Sequence, residues 1–323
     1  MPDFALYAAS LVLGGVGAWF VSRWGKPLGL LDRPNERSSH DGVVPKGGGI
    51  GILAAFLVAS WTVGLPGLTW VCVGLISLLS LYGDRREIPP KVRLSVQFLG
   101  SVGLLFALFY WVGRGWPVFF LIPVLSIFVV GTANYYNFMD GINGIAGITG
   151  IVGFGLLAWF TALSGSPPAL MMLAVCMVLA CVGFLPFNMP KARVFMGDVG
   201  SVLLGFVYAS FAVSLSHNLN DFLVLCAFLF PFYADELTTE YVRLRDGENL
   251  LRPHRRHFYQ LMANEKGIAH WKVSVGYGVL QLVVGVSVLL IKSHGVLAVV
   301  VLLAGWFGGF AGVSFYFRKR LEN

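Results

Sequence analysis

Eleven runs of apolar residues follow one another along the chain, separated by shorter polar stretches. A helix that crosses the hydrocarbon of a bilayer needs about 20 such residues, because lipid offers the backbone no hydrogen-bond partner. The alternation of apolar and polar residues that is typical of a membrane barrel is absent. We predict transmembrane helices near residues 3–22, 47–64, 66–83, 94–112, 117–134, 144–164, 168–186, 199–216, 221–236, 272–291 and 295–317.

The composition agrees with a protein that lies largely in lipid. The 323 residues are 57% hydrophobic and only 12% charged, whereas a soluble domain carries about 25% charged residues. We therefore predict an all-α integral membrane protein, with one polytopic domain over residues 1–323 and a bundle of about eleven transmembrane helices. Several runs are short or abut, so ten or twelve spans also agree with the sequence.

Lysine and arginine residues gather in every second loop between the predicted helices. The alternate loops contribute only Arg114 and Lys292. Because basic loops remain on the cytoplasmic side, eleven spans place the N-terminus outside and the basic loops in the cytoplasm. The net charge of +7 then follows from topology and from contact with anionic membrane lipids, and it does not indicate a nucleic-acid partner. The basic stretches are 23–46, 84–93, 187–198, 237–271 and 318–323.

Three aspartates, Asp84, Asp140 and Asp198, each lie at a predicted helix end on this cytoplasmic face. Converging carboxylates among asparagines and glycines suit a hard divalent ion such as Mg²⁺. The basic residues of the same loops would neutralise phosphate groups, so the combination is typical of phosphoryl transfer. The glycines of "PKGGGIG" and "GDVGS" either let backbone amides approach phosphate oxygens or allow close helix packing.

Each of these carboxylates also has a purely structural interpretation. Asp198 and Asp140 would serve as N-caps of the helices that follow them, since aspartate is a favoured cap. Asp84 would belong to a solvated turn after a membrane helix. Asp235 and Glu236, at the end of the ninth run, are expected to be structural and to pair with a nearby arginine.

Five cytoplasmic stretches resemble, in order, the motifs of the polyprenyl-phosphate N-acetylhexosamine-1-phosphate transferases of glycosyltransferase family 4. The resemblance covers most of the chain, and eleven spans suit the branch that initiates O-antigen, common-antigen and teichoic-acid linkage synthesis. The third and fourth stretches match most closely. The five are "DRPNERSSHDGVVPKGGGI", "GDRREIPPKVRLSVQ", "NYYNFMDGINGIAG", "FMGDVGSVLLGF" and "RPHRRHFYQ".

The resemblance implies an Mg²⁺-dependent enzyme, with Mn²⁺ as a substitute, in the bacterial inner membrane. Its reaction would transfer an N-acetylhexosamine-1-phosphate from a UDP-sugar to undecaprenyl phosphate and release UMP at the cytoplasmic face. The sugar would be N-acetylglucosamine or a 6-deoxy sugar such as N-acetylfucosamine or N-acetylquinovosamine. The sequence decides neither the sugar nor whether the protein is a homo-oligomer.

The resemblance also implies roles for individual residues. Asp198 would be the main Mg²⁺ ligand, Asp140 would lie beside it and hold the metal or the sugar nucleotide, and Asp84 would be the third catalytic carboxylate. The remaining residues would bind the lipid phosphate, the diphosphate or the nucleotide. They are Arg37, His40, Lys46, Asn134, Asn137, Asn143, His254, Arg255, Arg256 and His257.

Two positions depart from the family pattern. The family usually has two adjacent aspartates in the second motif, but here Gly83 precedes Asp84. Many relatives also carry a second aspartate where this chain has Asn143. An asparagine still hydrogen-bonds but adds no charge, so we expect a less acidic metal site.

Three other functions remain open at this point. A secondary transporter with an intramembrane carboxylate ion site would need discontinuous helices and internal repeats, and neither is visible in the sequence. A CDP-alcohol phosphotransferase would carry its aspartates in one spaced motif instead of three separate loops. An inactive relative is suggested only by Gly83.

Overall fold

The computed structural model describes residues 2–34, 38–40, 42–86, 88–250 and 254–322. These residues form helices joined by short connections, together with a two-stranded antiparallel hairpin, β1 (Leu31–Asp32) and β2 (Val44–Pro45). A π-helical turn follows α12 at Leu261–Glu265, and a 3₁₀ turn lies at Lys292–His294. The helices are α1 (Pro2–Trp24), α2 (Ile50–Thr62), α3 (Gly67–Arg85), α4 (Pro90–Trp111), α5 (Trp116–Phe119), α6 (Ile122–Phe138), α7 (Ile145–Leu163), α8 (Pro168–Asn188), α9 (Asp198–Leu215), α10 (Leu219–Ala227), α11 (Phe230–Arg245), α12 (Phe258–Gln260), α13 (His270–Ile291) and α14 (Val296–Glu322).

Each of the eleven predicted runs coincides with a helix or a pair of helices, which confirms the all-α polytopic fold. Among the described residues, eight helices are long and apolar enough to cross a membrane, and α10 with α11 makes a ninth span if the pair is counted as one. Helices α2 and α6, with 13 and 17 residues, are shorter. Among the described residues, helix length therefore supports eight or nine full-length spans, fewer than the eleven predicted.

The ninth predicted run is not one continuous helix. α10 and α11 meet at an angle of 84°, a break that is not visible in the sequence. The break precedes Pro231, which occupies the first turn of α11. Proline lacks the amide that would continue the hydrogen bonding from α10, and it is tolerated where a new helix begins.

Helix α9 forms the centre of the bundle. All of its residues from Val199 to Leu215 are buried, as expected of a helix that is apolar on every side. Small residues allow its neighbours to come close: a Cβ atom on Gly205 would lie 2.8 Å from the Cα atom of Ala133 in α6. This close packing fixes the start of α9 against the ends of α3 and α6.

The glycine run before α2 lies along the loop before α9. Lys46 forms a β-bridge with Phe195, and the amides of Gly47 and Gly48 donate to the Phe195 carbonyl oxygen over 3.2 and 2.9 Å. The Gly49 amide donates to the Met196 carbonyl oxygen over 2.9 Å. These three amides already have backbone partners, so the suggestion that they bind phosphate is wrong and the close-packing interpretation holds.

Gly197, the residue before α9, tests this close packing. Its φ of +73° favours glycine, and a Cβ atom would lie 2.7 Å from both Oδ2 of Asp84 and the amide nitrogen of Gly47. Gly165 has a similar φ of +65° but no neighbouring atom within 4 Å. We expect Gly165→Ala to lower the free energy of unfolding by about 1 kcal/mol through backbone strain alone. Gly197→Ala should cost about 1–3 kcal/mol more through overpacking.

Thermal unfolding of both variants in the same detergent gives the comparison. Equal losses of stability would show that the contact between Gly197 and Asp84 is not as close as described here.

Candidate functional site

A cavity of about 270 Å³ lies where the ends of α3 and α6 meet the starts of α2 and α9. The structure therefore brings together side chains from all five quoted motifs. Of the predicted site residues, the cavity is lined by His40, Lys46, Asp84, Asn137, Asp140 and Asp198.

Asp84 is buried in the last turn of α3, with 7% of its surface exposed. Its Oδ1 accepts a hydrogen bond from the Asp198 amide over 3.3 Å, and its Oδ2 accepts one from the Val199 amide over 3.4 Å. Nζ of Lys46 lies 3.7 Å from Oδ1. A carboxylate at the start of a helix meets both unpaired amides and the positive end of the helix dipole. Asp84 is therefore not part of a solvated turn.

Asp198 is the first residue of α9 and faces the cavity. Its Oδ1 accepts a hydrogen bond from the Asn137 amide group over 2.8 Å, and its Oδ2 accepts one from the Arg93 guanidinium over 3.2 Å. Asp84 caps the amides of Asp198 and Val199 at the start of α9, and the partners of both Asp198 oxygens lie outside α9. About a third of its side chain remains exposed, so its oxygens are accessible to a ligand.

Asp140 follows α6 and does not cap the next helix. α7 begins only at Ile145, after Gly144, so the capping interpretation is wrong. Burial, together with the negative charges of Asp198 and Asp84, raises the pKa of Asp140 well above its usual range. Within the described part of the chain, no hydrogen bond or cation contact offsets these effects on Asp140.

The charges around the cavity decide whether a cation fits. Lys46 and Arg93 each face one carboxylate, of Asp84 and Asp198 respectively, and Asp140 is left uncompensated. Among the residues that the structure describes, no group of three His, Cys, Asp or Glu side chains forms a ready-made metal site. The carboxylates of Asp140 and Asp198, which both line the cavity, nevertheless fit a hard divalent ion that takes its other ligands from water and phosphate, as Mg²⁺ commonly does.

His40 lines another wall of the cavity. Its Nε2 lies 3.0 Å from Oδ2 of Asp32, its Nδ1 lies 2.8 Å from the Gly42 carbonyl oxygen, and its ring packs against Phe195. Both ring nitrogens therefore have partners. Arg37 lies outside the described residues.

Two of the three predicted asparagines do not line the cavity. The Asn134 amide group is buried and donates to Oε1 of Gln97 and to the Val130 carbonyl oxygen, both over 2.8 Å. The Asn143 amide group donates to the Pro190 carbonyl oxygen over 3.3 Å. Asn137 is the one whose side chain contacts a cavity carboxylate.

Two arginines of the "RPHRRHFYQ" stretch, Arg255 and Arg256, have acidic partners within the protein and do not line the cavity. The third, Arg252, lies outside the described residues. Arg255 contacts Glu265 over 3.0 Å. Arg256 contacts Asp246 over 2.6 Å and also binds Glu248. Nearby acidic residues thus neutralise both arginines, and their role in binding the diphosphate stays a prediction.

The two histidines of this stretch are also outside the cavity. Burial, and next the Arg318 and Arg243 charges, lower the pKa of His257 to about 3. Burial, and next the charge of His257, lower the pKa of His254 to about 3 as well. Nδ1 of His257 lies 3.0 Å from Oε2 of Glu236, although these two atoms lack hydrogen-bond geometry. Both imidazoles are thus neutral near pH 7.

The sequence did not single out several residues that shape the cavity. Arg93 stands inside the quoted second motif, so its position was the available signal. Asn188 lines the cavity and joins two loops: its Oδ1 accepts the Gly144 amide over 2.6 Å and its Nδ2 donates to the Val194 carbonyl oxygen over 2.9 Å. Asp32 and Gln260 also line the cavity, and like Arg93 they stand inside quoted motifs, the first and the fifth.

Comparison with known proteins agrees with this arrangement. A family model described as glycosyl transferase family 4 matches residues 67–216, a range that contains all three cavity aspartates of the predicted site. Undecaprenyl-phosphate alpha-N-acetylglucosaminyl 1-phosphate transferase of Escherichia coli (strain K12) is 26% identical over 273 residues, which are 76% of this chain and 72% of the relative.

Two further relatives carry similar descriptions. The protein of the same name from Salmonella typhi is 28% identical over 264 residues, or 73% of this chain and 69% of the relative. A probable undecaprenyl-phosphate N-acetylglucosaminyl 1-phosphate transferase of Bacillus subtilis (strain 168) is 29% identical over 202 residues, or 58% of this chain and 55% of the relative.

The helices define a class, the multi-pass membrane proteins. Over residues 67–216, just under half of the chain, the sequence is similar to glycosyl transferase family 4.

Proposed function

We propose that this protein transfers an N-acetylhexosamine-1-phosphate from a UDP-sugar to undecaprenyl phosphate and releases UMP. The reaction would take place at the cytoplasmic face of a bacterial inner membrane and would start the synthesis of O-antigen or another cell-surface polysaccharide. The observation that carries the proposal is the cavity at one end of the bundle, where Asp84, Asp140 and Asp198 meet Lys46 and Arg93. The descriptions of the relatives support the substrates.

In this proposal the two substrates meet in the cavity. A lipid phosphate oxygen attacks the β-phosphorus of the UDP-sugar, and the bond from that phosphorus to the bridging oxygen breaks. The bridging oxygen leaves with UMP, and the lipid carries the sugar on a new diphosphate. One phosphoanhydride replaces another, so the reaction is expected to be reversible.

The side chains of the cavity supply positioning and charge. Asp198 and Asp140 would hold Mg²⁺, for which Mn²⁺ would substitute, and the bound ion would neutralise charge on the diphosphate. Lys46 would orient the lipid phosphate or the nucleotide phosphate. Asn137 and Arg93 keep the Asp198 carboxylate in place, through the contacts of 2.8 and 3.2 Å described above.

This chemistry does not require a general base. A phosphate monoester has a second pKa of about 6, so the attacking oxygen is already largely ionised at neutral pH. The replacement of the first paired aspartate by Gly83 is therefore compatible with activity, and the inactive-relative hypothesis has no support from the cavity.

The cavity volume of about 270 Å³ is at the lower limit of ligand pockets, which are roughly 300–1,000 Å³. It would accommodate the diphosphate, while the nucleoside and the lipid would extend beyond it. The relatives favour UDP-N-acetylglucosamine as the first donor to test. The 6-deoxy donors are the alternatives, and the loop 244–267 is where we expect the sugar to be distinguished.

The transporter alternative shares one feature with the structure, the bent pair of α10 and α11. The carboxylates, however, lie at the ends of α3 and α6 and at the start of α9, not near the middle of a span. Release of UMP separates the two classes, since a transporter would not cleave the donor.

A purified protein in detergent, given UDP-N-acetylglucosamine, undecaprenyl phosphate and Mg²⁺, should release UMP and form a lipid-linked product. EDTA should abolish the reaction and Mn²⁺ should restore it in part. Asp198→Ala should lower turnover by about 100-fold or more, because it removes a metal ligand and a counter-ion.

Asp221→Ala is the matched control. Asp221 also lies in the first turn of a helix, α10, but it is at the other end of α9 and pairs with Lys292 over 2.8 Å. Its loss should reduce stability while turnover of the folded protein is retained. Absence of UMP with a panel of UDP-N-acetylhexosamines, or full activity of Asp198→Ala, would refute the proposal.

Restoring the missing family aspartate should have little effect. Gly83 does not line the cavity, and a Cβ atom there would lie 3.5 Å from Cδ1 of Ile88, an ordinary packing contact. We therefore expect Gly83→Asp to change the initial rate of UMP release by less than about twofold, since a rate factor of two corresponds to under 0.5 kcal/mol. A tenfold gain would show that a carboxylate at position 83 reaches the reacting groups.

A further inference from the structure

Asp235 is a fully buried carboxylate in α11 that the proposed reaction does not use. Its Oδ1 accepts hydrogen bonds from the Phe258 amide over 2.7 Å and from the Thr239 hydroxyl over 3.1 Å. Its Oδ2 accepts hydrogen bonds from the Tyr259 amide over 3.1 Å and from the Tyr277 hydroxyl over 2.7 Å. A buried carboxylate is costly unless its lone pairs are satisfied, and here four donors satisfy them.

These bonds correct the partners expected from the sequence. The sequence predicts a structural role for Asp235, through an ion pair with Arg243 or Arg245. Arg243 instead contacts Glu248, and Arg245 contacts Asp246, both over 2.9 Å. The partners of Asp235 include two backbone amides at the start of α12, so Asp235 holds the backbone of the "RPHRRHFYQ" stretch in place.

Tyr259 connects this backbone to the residues 139–144, here called the Asp140 loop. The Tyr259 side chain is fully buried, and its hydroxyl donates to the Phe138 carbonyl oxygen over 3.1 Å. That carbonyl belongs to the last turn of α6, where helix carbonyls lack a partner within the helix. The hydroxyl also fills the space beside Gly141, where any Cβ atom would overlap with it.

Gln260, the next residue, lines the cavity itself, and its Oε1 faces the His257 amide over 3.3 Å. In the short helix α12, Gln260 therefore lines the cavity and Tyr259 contacts the Asp140 loop. Both placements depend on the position of the α12 backbone, which Asp235 holds.

We propose that Asp235 and Tyr259 are positioning residues: Asp235 holds α12, and Tyr259 of α12 holds the Asp140 loop at the cavity. As far as turnover is concerned, this inference rests on the proposed function, because it assigns the benefit to a correctly placed Asp140. A displacement of about 1 Å at a reacting centre can cost about 100-fold in rate. A hydrogen bond that fixes such a loop therefore matters more for turnover than for overall stability.

Tyr259→Phe removes one hydroxyl and leaves the ring in place. Hydrogen–deuterium exchange of the backbone should become about fivefold faster at residues 138–144, the effect of losing about 1 kcal/mol of local hydrogen bonding. Tyr208→Phe is the matched control, because the buried Tyr208 hydroxyl donates to the Leu225 carbonyl oxygen over 2.7 Å, remote from the cavity. It should leave exchange at residues 138–144 unchanged.

Asp235→Asn tests whether Asp235 acts on the Asp140 loop through α12. It should speed exchange both at residues 258–262 and at residues 138–144, whereas Tyr259→Phe should affect the second segment alone. Unchanged exchange at residues 138–144 in Tyr259→Phe, or an equal change in Tyr208→Phe, would overturn the proposal. These measurements do not depend on any enzymatic activity, so they decide the positioning role even if no transfer is detected.

Turnover supplies the second readout. Tyr259→Phe should lower kcat about tenfold, which corresponds to about 1.4 kcal/mol in the barrier, while Tyr208→Phe should not. In an Asp140→Asn background the loss of the Tyr259 hydroxyl should have no further effect, since a positioning residue acts only through the group that it positions. An equal tenfold loss in both backgrounds would contradict a role through Asp140.

Discussion

The carboxylate of Asp84 accepts hydrogen bonds from the first two amides of α9, and this contact sets the geometry of the whole cavity. It joins the end of α3 to the start of α9. Gly197 makes the contact feasible, because a Cβ atom at that position would lie 2.7 Å from the Asp84 carboxylate. Because Asp84 caps the helix, Asp198 is free to face the cavity. A structural cap and a catalytic carboxylate are therefore adjacent parts of one arrangement.

The charge balance follows from that arrangement. Four carboxyl groups line the cavity. Asp32 contacts His40, Lys46 faces Asp84 and Arg93 faces Asp198, which leaves Asp140. Among the described residues Asp140 has no positive partner, and its raised pKa favours the protonated form as long as no cation is bound. A divalent ion would favour the carboxylate form of Asp140 and would add positive charge beside the phosphates of both proposed substrates. In this account the proposed metal contributes to substrate binding as well as to the reaction.

Local sequence predicted the helices, because the length of an apolar run is a local property. It also predicted that the three aspartates meet, because the basic loops that flank the runs indicate which helix ends share one side of the membrane. It did not predict the bend after Ala227, since the apolar run continues through the break and Pro231 is its one local mark. The acidic partners of the basic stretch were not predicted for a different reason. Whether Arg255 and Arg256 face a substrate depends on Glu265 and Asp246, and such pairing requires the folded chain. Tyr259 was missed likewise, since its contact with Phe138 spans more than a hundred residues.

The central claim is that Asp140 and Asp198 hold a divalent ion in the cavity that Asp84 organises. The most direct measurement is anomalous scattering from crystals of the protein grown with Mn²⁺ and UMP. The account predicts a strong peak inside the cavity, at metal–oxygen coordination distance (about 2.0–2.2 Å) from the carboxylates of Asp198 and Asp140. A cavity that binds UMP at saturating Mn²⁺ without such a peak, or a peak held by residues outside the cavity, would contradict it.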